Sequence, residues 1–218
     1  MKKLLFFFSI LIFSGLFAQQ KPDFWNDIQE FKKQDSLNPP PKDAILLIGS
    51  SSFTNWRDVY SYFPDRPIIN RGFGGSRIAD LNFYAEDLLN PYHPKQIIIY
   101  CGENDMAYDK EKTTASAAFK RFKQFYRTIR SKYPNIEVDY ISMKRSPSRE
   151  HLWPEIEKAN AKIERFMNRK ANSEYIDIVK PMEDGTGNVR KDLFLDDMLH
   201  MRPAGYEIWA RTMKPYMK

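Results

Sequence analysis

The sequence predicts an α/β protein, a three-layer α/β/α fold whose central parallel sheet has about five strands in flavodoxin-like order. Three observations carry that reading. Short runs rich in Ile, Leu and Val recur along the chain, they alternate with longer helical patterns, and they lack strict apolar–polar alternation. Strands of that kind are buried on both faces, as in a parallel sheet covered by helices. The runs are AILLIG (44–49), PIIN (67–70), QIIIYCG (96–102), EVDYIS (137–142) and YIDIV (175–179). Helical spacing of apolar residues marks 76–90, 113–133, 152–170 and 203–217.

The chain of 218 residues is long enough for one ordinary domain with a substantial core. Residues 1–18 have the pattern of a signal peptide: Lys2 and Lys3, an uncharged apolar run from Leu4 to Leu16, and the small Ala18 at a cleavage position. That run is short for a retained membrane anchor. The expectation is an exported protein, periplasmic or secreted, with no stable membrane anchor after cleavage. Residues 19–43 supply an amphipathic helix, with Phe24, Ile28 and Phe31 in step, and then a connector containing Pro39, Pro40 and Pro41. Residues 44–218 form the main domain.

The net charge of +6 invites thoughts of nucleic acid, but segments such as YDKEKTTAS and PEIEKANAKIERF mix both signs as solvated helix faces do. No nucleic-acid partner is expected. Cys101, the single cysteine, follows QIIIY and reads as a buried, inert thiol. No His/Cys cluster has zinc spacing and no acidic loop has EF-hand spacing, so neither metal nor cofactor is expected.

In a doubly wound sheet the loops after the strands converge on one edge. Here those loops are GSSS (49–52), NRGFGGSR (70–77) and GENDMAY (102–108), joined by LDDMLHMRPAGY (195–206) before the last helix. Acyl transfer needs a nucleophile, a base, a group that orients the base, and donors for an oxyanion. Ser51 fits the nucleophile, His200 the base, and Asp197, three residues before it, the orienting group. Asn104 offers a side-chain amide, and glycines 72, 74 and 75 allow close approach of backbone N–H groups. Ser51 N–H sits at a helix start, where the dipole favours negative charge. Each part also has an ordinary reading. Serine at a strand-to-helix junction caps the helix, Asn-Asp after glycine makes a turn, and a glycine cluster simply turns tightly.

Competing motifs fail. GSSSF lacks the second glycine of a G-x-S-x-G elbow, and RGFGGSR has Arg77 where a dinucleotide fingerprint needs glycine. No phosphate-loop lysine follows a glycine-rich turn.

The four loops resemble the ordered blocks of the SGNH (GDSL-like) hydrolases, over residues 44–217. GSS at 49–51 stands in the place of the G-D-S block, DMLH matches D-x-x-H, and GEND matches G-x-N-D. The resemblance implies Ser51, Asp197 and His200 as the catalytic triad and Ser51, Gly75 and Asn104 as the oxyanion hole, Gly75 following its Asn by five residues. Ser50 departs from the usual Asp. GSSS versions are familiar in a branch near bacterial esterases and platelet-activating-factor-acetylhydrolase-like proteins. With Ser51 as nucleophile, capping falls to Ser50 or Ser52.

The resulting expectation is a serine esterase acting through an acyl-enzyme on a short, acetyl ester of a small molecule or glycan. A lysophospholipase or thioesterase, with Phe53, Trp56, Phe73 and Met106 lining an acyl pocket, is the alternative, and an exported glycan-binding module without turnover is another. Ser52, Arg77 and Met106 are candidate substrate contacts. The cations of KRSPSR (144–149), after the fourth strand, are placed to reach the cleft edge and meet a polar or anionic substrate, but solvated loop charge is the favoured reading. His93 and His151 read as surface or packing residues, although His151 is also placed to line the cleft.

Overall fold

The computed structural model describes residues 21–108 and 113–218. The signal reading of residues 1–18 lies outside them. Helix α1 (Trp25–Leu37) leads into β1 (Ile45–Gly49), followed by the short helices α2 (Ser51–Thr54) and α3 (Val59–Tyr62). Next come β2 (Ile68–Gly72), α4 (Ile78–Phe83), α5 (Ala85–Leu89) and β3 (Gln96–Tyr100). The chain continues through α6 (Glu103–Tyr108), α7 (Ala115–Lys132), β4 (Glu137–Ile141), α8 (Trp153–Met167), β5 (Ser173–Ile176) and α9 (Pro203–Met213).

The five strands are parallel and ordered β2-β1-β3-β4-β5, the flavodoxin-like order expected from the sequence. Alternate residues of β1 feed two separate cores. Leu46 and Ile48 join residues of α1, α4, α5, α7 and α8 on one face. Ile45 and Leu47 join residues of α2, α3 and α9 on the other. Burial on both faces explains why the strands read as continuous apolar runs.

Gly49 ends β1 in register with Gly72 of β2 and Tyr100 of β3. A Cβ on Gly49 would lie 2.0 Å from the Tyr100 carbonyl oxygen, so only glycine lets the strands close up where the chain leaves the sheet. At the β2 edge Arg71 ties α1 to the sheet. Its Nε donates to the Tyr92 hydroxyl at 2.6 Å, Nη1 to the Asn70 carbonyl at 2.8 Å, and Nη2 to Asp35 of α1.

Several boundaries differ from the sequence reading, three of them at identifiable local features. The helix expected over 76–90 is two, because Tyr84 leaves helical geometry (φ −95°, ψ 19°) while its hydroxyl donates to the Asp23 carbonyl. The last strand stops at Ile176 instead of running to Val179. There the Asp177 carboxylate accepts from Val179 N–H at 2.9 Å, an Asx turn that ends the strand. The last helix ends at Met213 and passes into a 3-10 turn at Lys214–Tyr216, where Pro215 has no N–H to continue the ladder.

Candidate active site

The loops after β1, β2 and β3 and the loop before α9 meet at the carboxyl edge of the sheet. The chain leaves β1 at Gly49 and Ser50, and Ser51 is the first residue of α2. Its N–H therefore has no acceptor within its own helix. Ser50 stands at the N-cap position, yet its hydroxyl makes no capping hydrogen bond. Ser52 does not cap either: its hydroxyl is buried and receives Lys144 Nζ at 3.4 Å. The expectation that one of these two side chains caps the helix is not met, and Asn70 supplies the local stitching instead. Its side-chain amide donates to the Phe53 carbonyl at 2.8 Å, and its side-chain oxygen accepts from Gly72 N–H at 3.0 Å.

Ser51 and His200 are brought together across the chain, with Ser51 Oγ 3.1 Å from His200 Nε2. His200 Nδ1 lies 2.6 Å from Asp197 Oδ2. The other oxygen of Asp197 accepts from Leu199 N–H at 2.9 Å and His200 N–H at 3.0 Å. Slight burial acts to raise the Asp197 pKa, but those two N–H groups and the His200 ring hold it down to about 2. An ionised carboxylate only accepts, so Nδ1 carries the ring proton and Nε2 is left to accept from the Ser51 hydroxyl.

The loop that presents His200 is pinned at several points. Leu195 N–H donates to the His200 carbonyl at 2.7 Å, and Phe194 and Met201 form an antiparallel bridge. Between them Met198 adopts φ 53°, a left-handed conformation that a long side chain rarely takes. The Met198 carbonyl accepts from both the N–H and the hydroxyl of Ser148, each at 3.0 Å.

On the other side of Ser51, Gly74 and Gly75 form an exposed turn. A Cβ on Gly74 would lie 3.9 Å from Ser51 Cβ, which places the turn against the serine. Gly75 has φ +86°, a conformation suited to glycine. Asn104, in α6, is buried, and its Nδ2 donates to the Ser76 carbonyl at 3.0 Å. Its side chain thus bridges two loops rather than making the local turn that Asn-Asp alone suggests. Asp105 bonds to Ile78 N–H at 2.8 Å and to Arg121 at 3.0 Å, holding the first turn of α4.

The remaining candidates fall elsewhere. The Arg77 guanidinium folds back on Asp80, with Nε 3.0 Å from Oδ2. Met106 is buried in the core with Phe73, and Phe53 and Trp56 are buried in the opposite core. His93 and His151 are exposed, and His93 lies in the turn before β3, at the opposite end of the sheet. Cys101 is a buried free thiol, its pKa raised by burial. Among the described residues no group of three or more His, Cys, Asp or Glu side chains is placed to hold a metal ion.

The reading of KRSPSR as solvated charge is overturned at two positions. Lys144 and Arg149 are buried, and both pair with Glu103 of the GEND loop. Arg145 is half-buried between Glu157 and Glu183. The loop's place after β4 was the available signal, since it brings these cations to the edge that carries the site.

Residues 45–208 match the model of the GDSL-like Lipase/Acylhydrolase family. Solved structures with the same fold include a candidate platelet activating factor from Streptococcus pneumonia (TM-score 0.76, 19% identity, covering 88% of this chain and 92% of that one). A candidate acylhydrolase from Bacteroides fragilis aligns with TM-score 0.77 at 17% identity, over 90% and 97% of the two chains. A variant of an acetyl-xylooligosaccharide esterase from Geobacillus Stearmophilus aligns with TM-score 0.65 at 15% identity, over 81% and 94%. No curated protein sequence matches the chain.

Proposed function

The chain belongs to the GDSL-like lipase/acylhydrolase family and is a hydrolase of ester bonds, and from that premise we propose that Ser51, His200 and Asp197 cleave a short, acetyl ester through an acyl-enzyme. The observation that carries this reading is the continuous relay from the Ser51 hydroxyl to His200 Nε2 and from Nδ1–H to an ionised Asp197.

In the first half-reaction Ser51 Oγ attacks the ester carbonyl carbon and its proton passes to His200 Nε2. The carbonyl oxygen becomes an oxyanion, met by the N–H groups of Ser51 and Gly75 and by the Asn104 side-chain amide. Collapse of the tetrahedral species breaks the bond to the alkoxy oxygen, which takes the proton from Nε2 and leaves as the alcohol. In the second half-reaction water gives a proton to Nε2 and attacks the acyl carbon. The acid departs and the proton returns to Ser51. Throughout, Asp197 holds the ring tautomer and stabilises the imidazolium.

Two considerations support a small acyl group. Phe53, Trp56 and Phe73 are fully buried and Met106 nearly so, which commits to the cores the side chains that would otherwise line a long acyl pocket. A fold relative is an acetyl-xylooligosaccharide esterase, which favours an acetylated carbohydrate as the substrate class. The apolar run of residues 1–18 fits export to the periplasm or exterior, where such glycans occur. Among the described residues no helix is long and apolar enough to cross a membrane.

The test is hydrolysis of 4-nitrophenyl acetate, butyrate and octanoate by the protein lacking residues 1–18, beside Ser51→Ala. Acetate is expected to be the best of the three, with turnover and fluorophosphonate labelling both lost in the variant. Octanoate preferred over acetate would refute the short-acyl assignment. Turnover that survives in Ser51→Ala would refute the nucleophile.

A further inference from the structure

A cluster of buried charge lies beside Asn104, and the triad does not use it. Glu103, Lys144 and Arg149 are 5%, 3% and 7% exposed. Lys144 Nζ donates to the two Glu103 carboxylate oxygens at 3.0 and 3.2 Å and to the Tyr100 hydroxyl at 3.1 Å. Ser146 Oγ donates to Glu103 Oε2 at 3.1 Å, and Arg149 Nη1 reaches the same oxygen at 3.4 Å. Burial acts to raise the Glu103 pKa, but Lys144 and Arg149 outweigh it and hold the carboxyl below its ordinary range. One carboxylate is set between two cations, and the negative charges of Glu103 and Asp197 oppose the burial that pulls the Lys144 pKa down. Buried ionic clusters add little net stability, and packing alone gives no reason to keep one.

Arg149 links this cluster to Asn104. Arg149 Nη2 donates to Asn104 Oδ1 at 2.8 Å, while Asn104 Nδ2 donates to the Ser76 carbonyl at 3.0 Å. A guanidinium can only donate and a carbonyl can only accept, so the two ends fix which way the amide faces. One Nδ2–H is used by Ser76, and the second has no protein acceptor among the described residues. A cation on the amide oxygen also draws electron density from the nitrogen, which strengthens that remaining N–H as a donor. Arg149 itself is enclosed, with its guanidinium 5.3 Å from the Tyr108 ring and its nitrogens on Glu103 and Asn104, so it acts through Asn104 and not on the substrate.

We propose that Arg149 is a positioning residue for catalysis: it orients and polarises the Asn104 amide so that its free N–H meets the charge developing on the oxyanion. This inference rests on Asn104 being an oxyanion donor, as assigned above.

The experiment is a double-mutant cycle in 4-nitrophenyl acetate hydrolysis with Asn104→Ala, Arg149→Met and the double variant. Asn104→Ala should lower kcat by about 10²–10³-fold, the cost of one oxyanion donor, and Arg149→Met by about 10–100-fold with KM changed less than about twofold. The double variant should be no worse than Asn104→Ala by more than about threefold, because two residues acting as one unit are not additive. Losses that multiply in full, or an Arg149→Met enzyme with wild-type kcat beside a damaged Asn104→Ala, would overturn the role of Arg149 alone. A silent Asn104→Ala would overturn the oxyanion assignment and this proposal with it. Arg149→Lys guards against a variant that fails to fold: it keeps the charge beside Glu103 and loses the fork. It should melt as wild type does while losing about tenfold in kcat, and unaltered kcat in this variant would also refute the proposal.

Discussion

Two arginines, Arg71 in β2 and Arg149 in the 3-10 turn Pro147–Leu152 after β4, are equally hidden at 7% exposure, and they serve different ends. Arg71 at the β2 edge has one counter-charge, Asp35, and its bonds close a loop: Tyr92 receives Nε and itself donates to Asp35 Oδ2 at 2.7 Å. The network is neutral, self-satisfied and stacked against Phe31, and it holds α1 to the sheet. Arg149 shares its carboxylate with Lys144 and spends its second nitrogen on Asn104. Equal burial therefore does not mean an equal role. What separates the two is where the guanidinium places its hydrogen bonds: Arg71 within a closed local network, Arg149 on an amide at the candidate site.

The comparison can be broken at several points. Ser51→Ala should carry the largest effect, a loss of about 10⁴-fold or more in kcat/KM. It touches neither arginine network, so the melting temperature should stay within about 2 °C of wild type by calorimetry. Arg71→Met should do the reverse. Leaving the partly buried Asp35 without its partner costs about 3 kcal/mol, the low end for a buried pair, a drop of roughly 10 °C in melting temperature for a chain of this size. The kcat of the folded fraction should match wild type. A tenfold fall in kcat would mean that both networks reach the site.

Arg149→Lys sharpens the contrast from the other side, with catalysis lost and the melting temperature kept. The smallest effect concerns Asp197, whose pKa lies below its unfolded value. A carboxylate of that kind adds stability above about pH 4, which disappears as the pH falls through about 2. Nearly half of the side chain is exposed, so solvent screening should keep the contribution under about 1 kcal/mol. The melting-temperature difference between wild type and Asp197→Asn should favour wild type at pH 6 and shrink as the pH is lowered toward 2. A difference that grows on acidification would reverse the assignment.

The parts legible in the sequence were those whose chemistry is local. Strands buried on both faces announce themselves as runs such as QIIIY, and GSSS, GEND and DMLH each hold their chemical groups within a few residues. The Asp197–His200 pair forms within one such loop. What stayed hidden depends on pairings across the chain. Glu103 meets Lys144 and Arg149 from 41 and 46 residues away, and nothing inside KRSPSR distinguishes an inward lysine from a solvated one. The same holds for Asn104, whose partners Ser76 and Arg149 lie on two other loops. The Tyr84 break was equally invisible, and the hydroxyl contact that accompanies it is with Asp23, 61 residues earlier.

The relay joins residues 149 positions apart, with the base lying just ahead of α9, and α9 in turn docks by donating the Tyr206 hydroxyl to the Ser52 carbonyl at 3.0 Å. On a ribosome adding about 5–20 residues per second, all five strands are made before His200 emerges. A chain halted after β5 has Ser51 and Asn104 and lacks Asp197 and His200. With His200 as the proposed base, catalytic competence arrives late in biosynthesis, once translation has run past that loop. Under that assignment, partial products that stop short of His200 are silent.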